Sequence, residues 1–319
     1  MLQLIADRIV YSLLRFPADS PLAAALSFFI YDAFKILLLL YGMIAVLGFF
    51  RTYLPQEKLK KWIGGGKGWG NLFAALFGAV TPFCSCSSIP LFFSFLKAGI
   101  PLGIAFSFLI TSPLVNEYLV VLMLGFFGWK ITIAYIASGL TLGITCGILL
   151  GKMGLESHLV EDLLPQNTPG GKEPASRSFK ERVVFGLREA NGTVRKLWPW
   201  ILAGVAVGAL IHNYVPQELI RSIIGKAGVF SVPIATVLGI PLYGSCAAIV
   251  PVAVVLFQKG VPLGTALSFM MAIAALSFPE AVMLRRAMRL PLIAVFFGVT
   301  ALAIIFTGYL LNLLQGLLL

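Results

Sequence analysis

Two thiols two residues apart, Cys84 and Cys86, lie in the run Thr81-Pro82-Phe83-Cys84-Ser85-Cys86-Ser87-Ser88-Ile89-Pro90, inside a stretch (68–96) without a single charge. A third thiol, Cys246, follows Gly244-Ser245 in a comparable uncharged stretch. Thiolates are soft ligands. On a non-helical stretch, two of them can face one soft ligand together. With the hydroxyls of Ser85, Ser87 and Ser245 beside them, these residues form a candidate solute-binding set. The same three thiols are the candidate ligands if the solute is a soft metal ion. Two other chemistries use the same residues: contact or transient exchange with a small sulfur-containing solute, and a membrane redox cycle in which Cys84 and Cys86 form a disulfide. Cys146 sits in a plain apolar stretch and reads as a small filler.

Two carboxylates, Glu117 and Glu280, interrupt long uncharged stretches in the segments Thr111-Ser112-Pro113-Leu114-Val115-Asn116-Glu117 and Ser277-Phe278-Pro279-Glu280. A carboxylate at membrane depth is costly and marks function by default. Proton coupling or the orientation of a broken helix is the role expected of Glu117 and Glu280, with Asn116, Pro113 and Pro279 forming the breaks. The plain alternative is a membrane-edge residue. His158 and His212 read as interfacial. Gly64-Gly65-Gly66 lacks the Lys-Ser/Thr of a phosphate loop.

The elements that must hold these groups are membrane helices. Of 319 residues, 59% are hydrophobic and 12% charged, and the mean hydropathy is +0.95. A soluble domain is about 45–50% apolar and about 25% charged. That balance excludes an ordinary soluble enzyme, a disordered chain and a nucleic-acid-binding module. The net charge of +11 is a topology signal, because membrane proteins collect Lys and Arg in cytoplasmic loops. The chain has room for roughly eight to ten membrane elements of about 20 residues. The clearest spans are 131–151, 197–214 and 291–312, with an earlier one over 30–50. The organisation expected is an interfacial helix in 1–22, a first membrane repeat in 23–151, a cytoplasmic connector in 152–196 and a second repeat in 197–319.

The repeat is legible directly. Shifting the chain by 161 residues aligns 51–110 with 212–271 at 16 identities in 60 positions. Pro55-Gln56-Glu57 falls on Pro216-Gln217-Glu218, and Gly99-Ile100-Pro101-Leu102-Gly103 on Gly260-Val261-Pro262-Leu263-Gly264. Internal duplication in a membrane protein points to a transporter. If one segment per repeat is a re-entrant hairpin, three crossings remain. One side then holds 17 of the 24 Lys and Arg, as the positive-inside rule asks, and the two repeats are inverted. That side carries the connector, the 51–67 loop and the Arg285/Arg286/Arg289 loop. Two segments per repeat are long and punctuated in the middle: 70–97 with 231–258, and 101–127 with 262–284. Charge does not decide which is re-entrant. Glu117 and Glu280 match each other after a two-residue slip. Cys246 matches Ser85 in strict register, or Cys86 after a one-residue slip.

The Thr81–Pro90 run, Gly99-Ile100-Pro101-Leu102-Gly103, Thr111-Ser112-Pro113, Gly244-Ser245-Cys246 and Phe278-Pro279-Glu280 resemble the predicted permease family that includes the ArsP-type organoarsenical efflux proteins. The resemblance covers roughly 30–314. It implies an all-α polytopic permease of a prokaryotic plasma membrane. It also implicates Cys84 and Cys86, and then Cys246, in binding trivalent organoarsenicals. The partners implied are the lipid bilayer and a small solute, without nucleic acid, and a homo-oligomer is compatible with the chain. No cofactor is called for, and no enzymatic chemistry.

Overall fold

The computed structural model describes residues 2–13, 17, 21–51, 69–81, 85–160, 179–214, 224, 228–242 and 246–318. Among them all regular structure is helical, apart from one isolated antiparallel bridge between Leu159 and Met288. Helix α1 (Leu2–Asp7) leads through a π-helical turn (Arg8–Leu13) to α2 (Pro21–Arg51). Then come α3 (Trp69–Val80), α4 (Ser85–Lys97), α5 (Leu102–Leu114) and α6 (Glu117–Lys152). The second half holds α7 (Phe179–Tyr214), α8 (Ser231–Gly239), α9 (Cys246–Gln258), α10 (Leu263–Ala275), α11 (Phe278–Leu284) and α12 (Leu290–Leu318). The spans expected at 30–50, 131–151, 197–214 and 291–312 fall within α2, α6, α7 and α12.

Why these helices suit a bilayer shows best on α12. It buries Phe296, Thr300, Ile304, Thr307 and Leu311, and exposes Leu302, Phe306, Leu310, Leu313 and Leu317 on the opposite stripe. A helix apolar on both faces needs an apolar solvent on the outer one. By length and composition, Ala25–Val46, Glu117–Lys152, Leu263–Leu284 and Leu290–Leu317 are each able to cross a membrane.

The shorter helices do something else. α3 and α4 have 12 and 13 residues. At 1.5 Å per residue neither exceeds about 20 Å, against a hydrocarbon core of about 30 Å. Phe77 of α3 and Phe95 of α4 have ring centroids 6.3 Å apart. On one straight helix their separation would be about 27 Å. The chain therefore turns back between Thr81 and Ser85, and α3–α4 is a helical hairpin. Phe108 of α5 completes the aromatic cluster, 5.7 Å from Phe77 and 5.1 Å from Phe95.

The second punctuated segment behaves differently. A Cβ built on Gly139 of α6 meets Val115 at 2.6 Å, although the two residues are 24 apart in sequence. The fold-back lies at Gly128, whose φ of 79° and ψ of 175° are non-helical. That is a region essentially reserved for glycine. So α5 and the first limb of α6 (117–127) continue in one direction, with a break at Val115-Asn116. The second limb (129–152) returns antiparallel to α5. Of the two punctuated segments, 70–97 is the one that doubles back.

The 161-residue offset reappears in three dimensions. Shifted by 161, α4 and α5 coincide end for end with α9 and α10, and the start of α6 falls on the start of α11. Gly128 falls on Arg289, in the turn that separates α11 from α12. The Gly-x-Pro-Leu-Gly motif is explained twice over. Gly99 (φ 76°) and Gly260 (φ 89°) end α4 and α9 in the left-handed region. Around Gly99, its own N–H donates to the Leu96 carbonyl at 2.9 Å and Ile100 N–H to Phe95 at 3.0 Å. The Gly260 turn repeats this through Phe257 and Leu256. This two-bond pattern closes a helix end, and proline follows because it cannot continue the helix. The final glycine of the motif is a contact. A Cβ on Gly103 would lie 2.6 Å from the Gly147 carbonyl, and one on Gly264 would collide with the Gly308 carbonyl.

Both halves share one core. Phe106 of α5 stacks on Phe296 of α12 at 5.2 Å and 18° between planes, and both rings are fully buried. α2 and α7 pack along each other in opposite directions. The end of α2 meets the start of α7, with a Cβ on Gly48 2.9 Å from Gly186 Cα and Phe49 5.5 Å from Phe179. α7 runs through the 196/197 boundary without interruption. α1 buries Ala6 and the π-helical turn buries Val10, and Ser27 Oγ of α2 donates to Asp7 Oδ1 at 2.6 Å. Finally, the start of the connector is clasped to the turn between α11 and α12. Val160 N–H donates to Ala287 O at 3.0 Å, and Arg289 N–H to His158 O at 2.9 Å, around the Leu159–Met288 bridge.

Candidate functional site

The site is built from two kinds of helix interruption: those between α3 and α4 and between α8 and α9, and the breaks at 115–116 and 276–277. In the second half they touch. Phe278 N–H, at the start of α11, donates to the carbonyl of Ile240, at the end of α8, at 3.1 Å. In the first half the link runs from α4 to α5, where the buried hydroxyls of Ser88 and Ser112 lie 2.7 Å apart. Their counterparts 161 residues on are Ile249 and Ile273, so the two half-sites differ in polarity. The sequence reading missed this hydroxyl pair. The Ser-Ser step in Cys86-Ser87-Ser88 and the Thr111-Ser112 step were the available signals.

Each break is made by its own residues. Pro113 is buried in the last turn of α5. Val115 takes an extended conformation, and Asn116 caps α6, its side chain accepting from Leu119 N–H at 2.9 Å. An N-cap of this kind satisfies one of the four free amides at a helix start. Asn116→Ala is expected to cost about 1 kcal/mol and Asn116→Asp far less, read as shifts in the unfolding midpoint of purified protein. In the second half, Ser277 holds the cap position without a side-chain cap bond, and Pro279 lies in the first turn of α11.

The two carboxylates have separate fates. Glu117 is exposed at the first residue of α6. Glu280 is fully buried, and among the described residues neither carboxylate oxygen has a hydrogen-bond partner. They are not equivalent: the helix starts keep the 161 offset with no slip, which sets Glu117 against Phe278 and Glu280 against the buried Leu119. α11 packs against α4 and α7. Its inward residues are Glu280, Met283 and Leu284, all buried, and the buried Ala287 follows in the turn after it. An acid thus occupies the first position of an i, i+3, i+4 apolar stripe. The hydroxyls of Thr111 and Thr300, both buried, also lack partners. Thr111 Oγ1 points at Gly143, where a Cβ would displace it.

Cys84 and Ser245 lie outside the described residues. Cys86 is in the first turn of α4 and Cys246 is the first residue of α9. The side chains of Ser85, Cys86, Ser87, Cys246 and Pro279 lie outside the description. The helix ends place Cys246 on Ser85, in strict register. Cys146 is buried and free in α6, as a filler would be. Among the described residues no group of three His, Cys, Asp or Glu side chains is placed to hold a metal ion.

The chain is 25% identical over 178 residues to a Streptococcus mutans protein described as a candidate two-component membrane permease complex subunit; the match covers 55% of this chain and 58% of that one. It is 20% identical over 297 residues to the UPF0718 protein MJ0584 of Methanocaldococcus jannaschii, covering 76% and 81%. It is 23% identical over 263 residues to the UPF0718 protein YraQ of Escherichia coli, covering 76% and 69%. No solved structure matches the chain. The model of the ArsP_1 predicted permease family matches residues 21–313. With apolar helices of spanning length, broken helices and a match over nearly its whole length, the chain belongs to the ArsP_1 predicted permease family and is a multi-pass membrane protein.

Proposed function

We propose that the protein is a secondary transporter built from two inverted repeats, and that it exports a small thiol-reactive solute, a trivalent (organo)arsenical or a related metalloid. The observation that carries this is the pair of helix interruptions, between α3 and α4 and between α8 and α9, equivalent under the 161 offset, with Cys86 in the first turn of α4 and Cys246 at the start of α9. Unpaired backbone at membrane depth is tolerated only where it is buried in protein or lines a cavity. In transporters with inverted repeats such discontinuities hold the solute. Inversion is supported by the antiparallel packing of α2 and α7, the leading helices of the two repeats. It is supported again by the count of crossings. α2, the broken α5–α6 span and the return limb of α6 make three, while the α3–α4 hairpin is too short to add a fourth. An odd count flips the second repeat. The charge distribution then sets the connector on the cytoplasmic side.

The chemistry suits the cargo. Trivalent arsenic accepts two or three thiolates, and Cys84, Cys86 and Cys246 supply soft sulfur. Exchange between closely spaced thiols permits release without a net redox change. The name of the S. mutans relative adds a partner subunit to this proposal. The test is accumulation of a trivalent arsenical in cells expressing the wild type, Cys84→Ser or Cys86→Ser at matched membrane levels. The wild type is expected to lower accumulation several-fold and each variant to abolish that effect. Equal accumulation in all three overturns the thiol mechanism.

A further inference from the structure

We propose that Glu280 is the seat of a small hard cation, a proton or a sodium ion, bound by the second repeat alone, so that one such ion accompanies each transport cycle. This rests on the transporter reading but not on its thiol chemistry.

Glu280 is completely buried and both of its oxygens lack a partner among the described residues. A buried charge without compensation costs several kcal/mol, and an unsatisfied buried group calls for an explanation. Among the described residues no basic side chain bonds it. α11 itself carries none before the turn at Arg285 and Arg286. α4 brings Cys86 at its first turn and Lys97 at its end, and α7 brings its charged half, Lys180 to Lys196, and His212. A bound cation would satisfy the carboxylate. Oxygen donors lie close to it along the chain. Ser277, three residues earlier, is buried and leaves the α11 cap position without a side-chain bond. The α10 helix ends at the same break with terminal carbonyls that have no intrahelical amide to accept. Oxygen donors suit a hard cation rather than a metalloid.

The first repeat cannot bind a second ion in the same way. Leu119 stands where Glu280 stands, fully buried. The junction between α6 and α9, which answers to the one between α11 and α4, is closed by Phe127 and Phe257, with centroids 6.0 Å apart. Glu117 faces outward.

The experiment measures the unfolding midpoint of the purified full-length protein in detergent, without arsenical. Sodium chloride is titrated against choline chloride at fixed pH, and then pH is varied in choline. Wild type, Glu280→Gln and Glu117→Gln are compared. The expected result is a saturable rise with one of the two cations, with a Hill coefficient of one. It should be retained in Glu117→Gln and weakened at least tenfold in Glu280→Gln. A response to sodium names sodium; a response to acid alone names the proton. If Glu280→Gln does not fold, Glu280→Asp replaces it and is expected to shift the midpoint concentration. A response unchanged in both Glu280 variants, one lost in Glu117→Gln, or no response to either cation overturns the proposal. Because no arsenical is present, the result stands apart from the outcome of the cysteine test.

Discussion

Gly147→Val and Gly308→Val are each expected to lower the unfolding midpoint of the purified protein by about 5 °C or more or to abolish folded protein, an effect of about 3 kcal/mol or more. The two residues are one position seen twice. A Cβ on Gly147 would collide with Ser107 Oγ and sit 2.7 Å from the Gly103 carbonyl; on Gly308 it would collide with Ser268 Oγ and sit 2.6 Å from Val232. Ser107 can rotate, but a backbone carbonyl cannot withdraw without moving α5. Between membrane helices there is little hydrophobic drive, since lipid tails are as apolar as leucine. Close approach at small residues is therefore the main source of cohesion. A Gly298→Ala control separates packing from helix propensity. Nothing lies within 4 Å of a Cβ there, so this change should stabilise by up to about 1 kcal/mol. A Gly147→Val midpoint within 2 °C of wild type would mean that α5 and α6 do not pack as described.

The second large effect is expected at the seam between the halves. Phe296→Ala should cost about 3 kcal/mol, the lower end of the range for removing a buried ring. The usual transfer term is reduced when the unfolded reference is itself apolar, so most of the loss is cavity and dispersion. Phe106→Ala should cost about as much, because both rings are fully buried. The double variant should fall short of the sum by about 0.5–1.5 kcal/mol, the coupling of a stacked pair. Unfolding titrations of the four proteins give the cycle. Full additivity would show that the rings do not touch and that the halves meet elsewhere.

Much of the architecture was legible because it is written in backbone punctuation. Gly99-x-Pro101-Leu102-Gly103 encodes a helix stop, a restart and a contact, and its copy at Gly260 encodes them again. What punctuation does not carry is direction. Pro82, Pro90 and Pro113 all announce interruptions, yet one opens into a hairpin, one stays inside a helix and one precedes a break that lets the chain continue. Only packing partners decide, such as Phe77 against Phe95. Burial was also hidden. α5 is covered on nearly every side, but an apolar run reads the same whether it faces lipid or protein. Glu117 and Glu280 were matched by residue type, where the helical stripe was the better guide: Met283 and Leu284 mark Glu280 as inward, while Tyr118 and Val121 beside Glu117 are exposed. The cysteines were found by spacing and chemistry alone. Their side-chain geometry lies outside the described residues.

The clasp between His158–Val160 and Ala287–Arg289 gives the connector mechanical purchase on the interior. Only α11, seven residues or roughly 10 Å of rigid helix, separates that clasp from the break at Ser277. A helix so short has no place to bend, so it acts as a lever. A pull on the connector would bear on α11 through that clasp, close to the turn of helix that carries Glu280. The segment that joins the two repeats is thereby a handle on the second one.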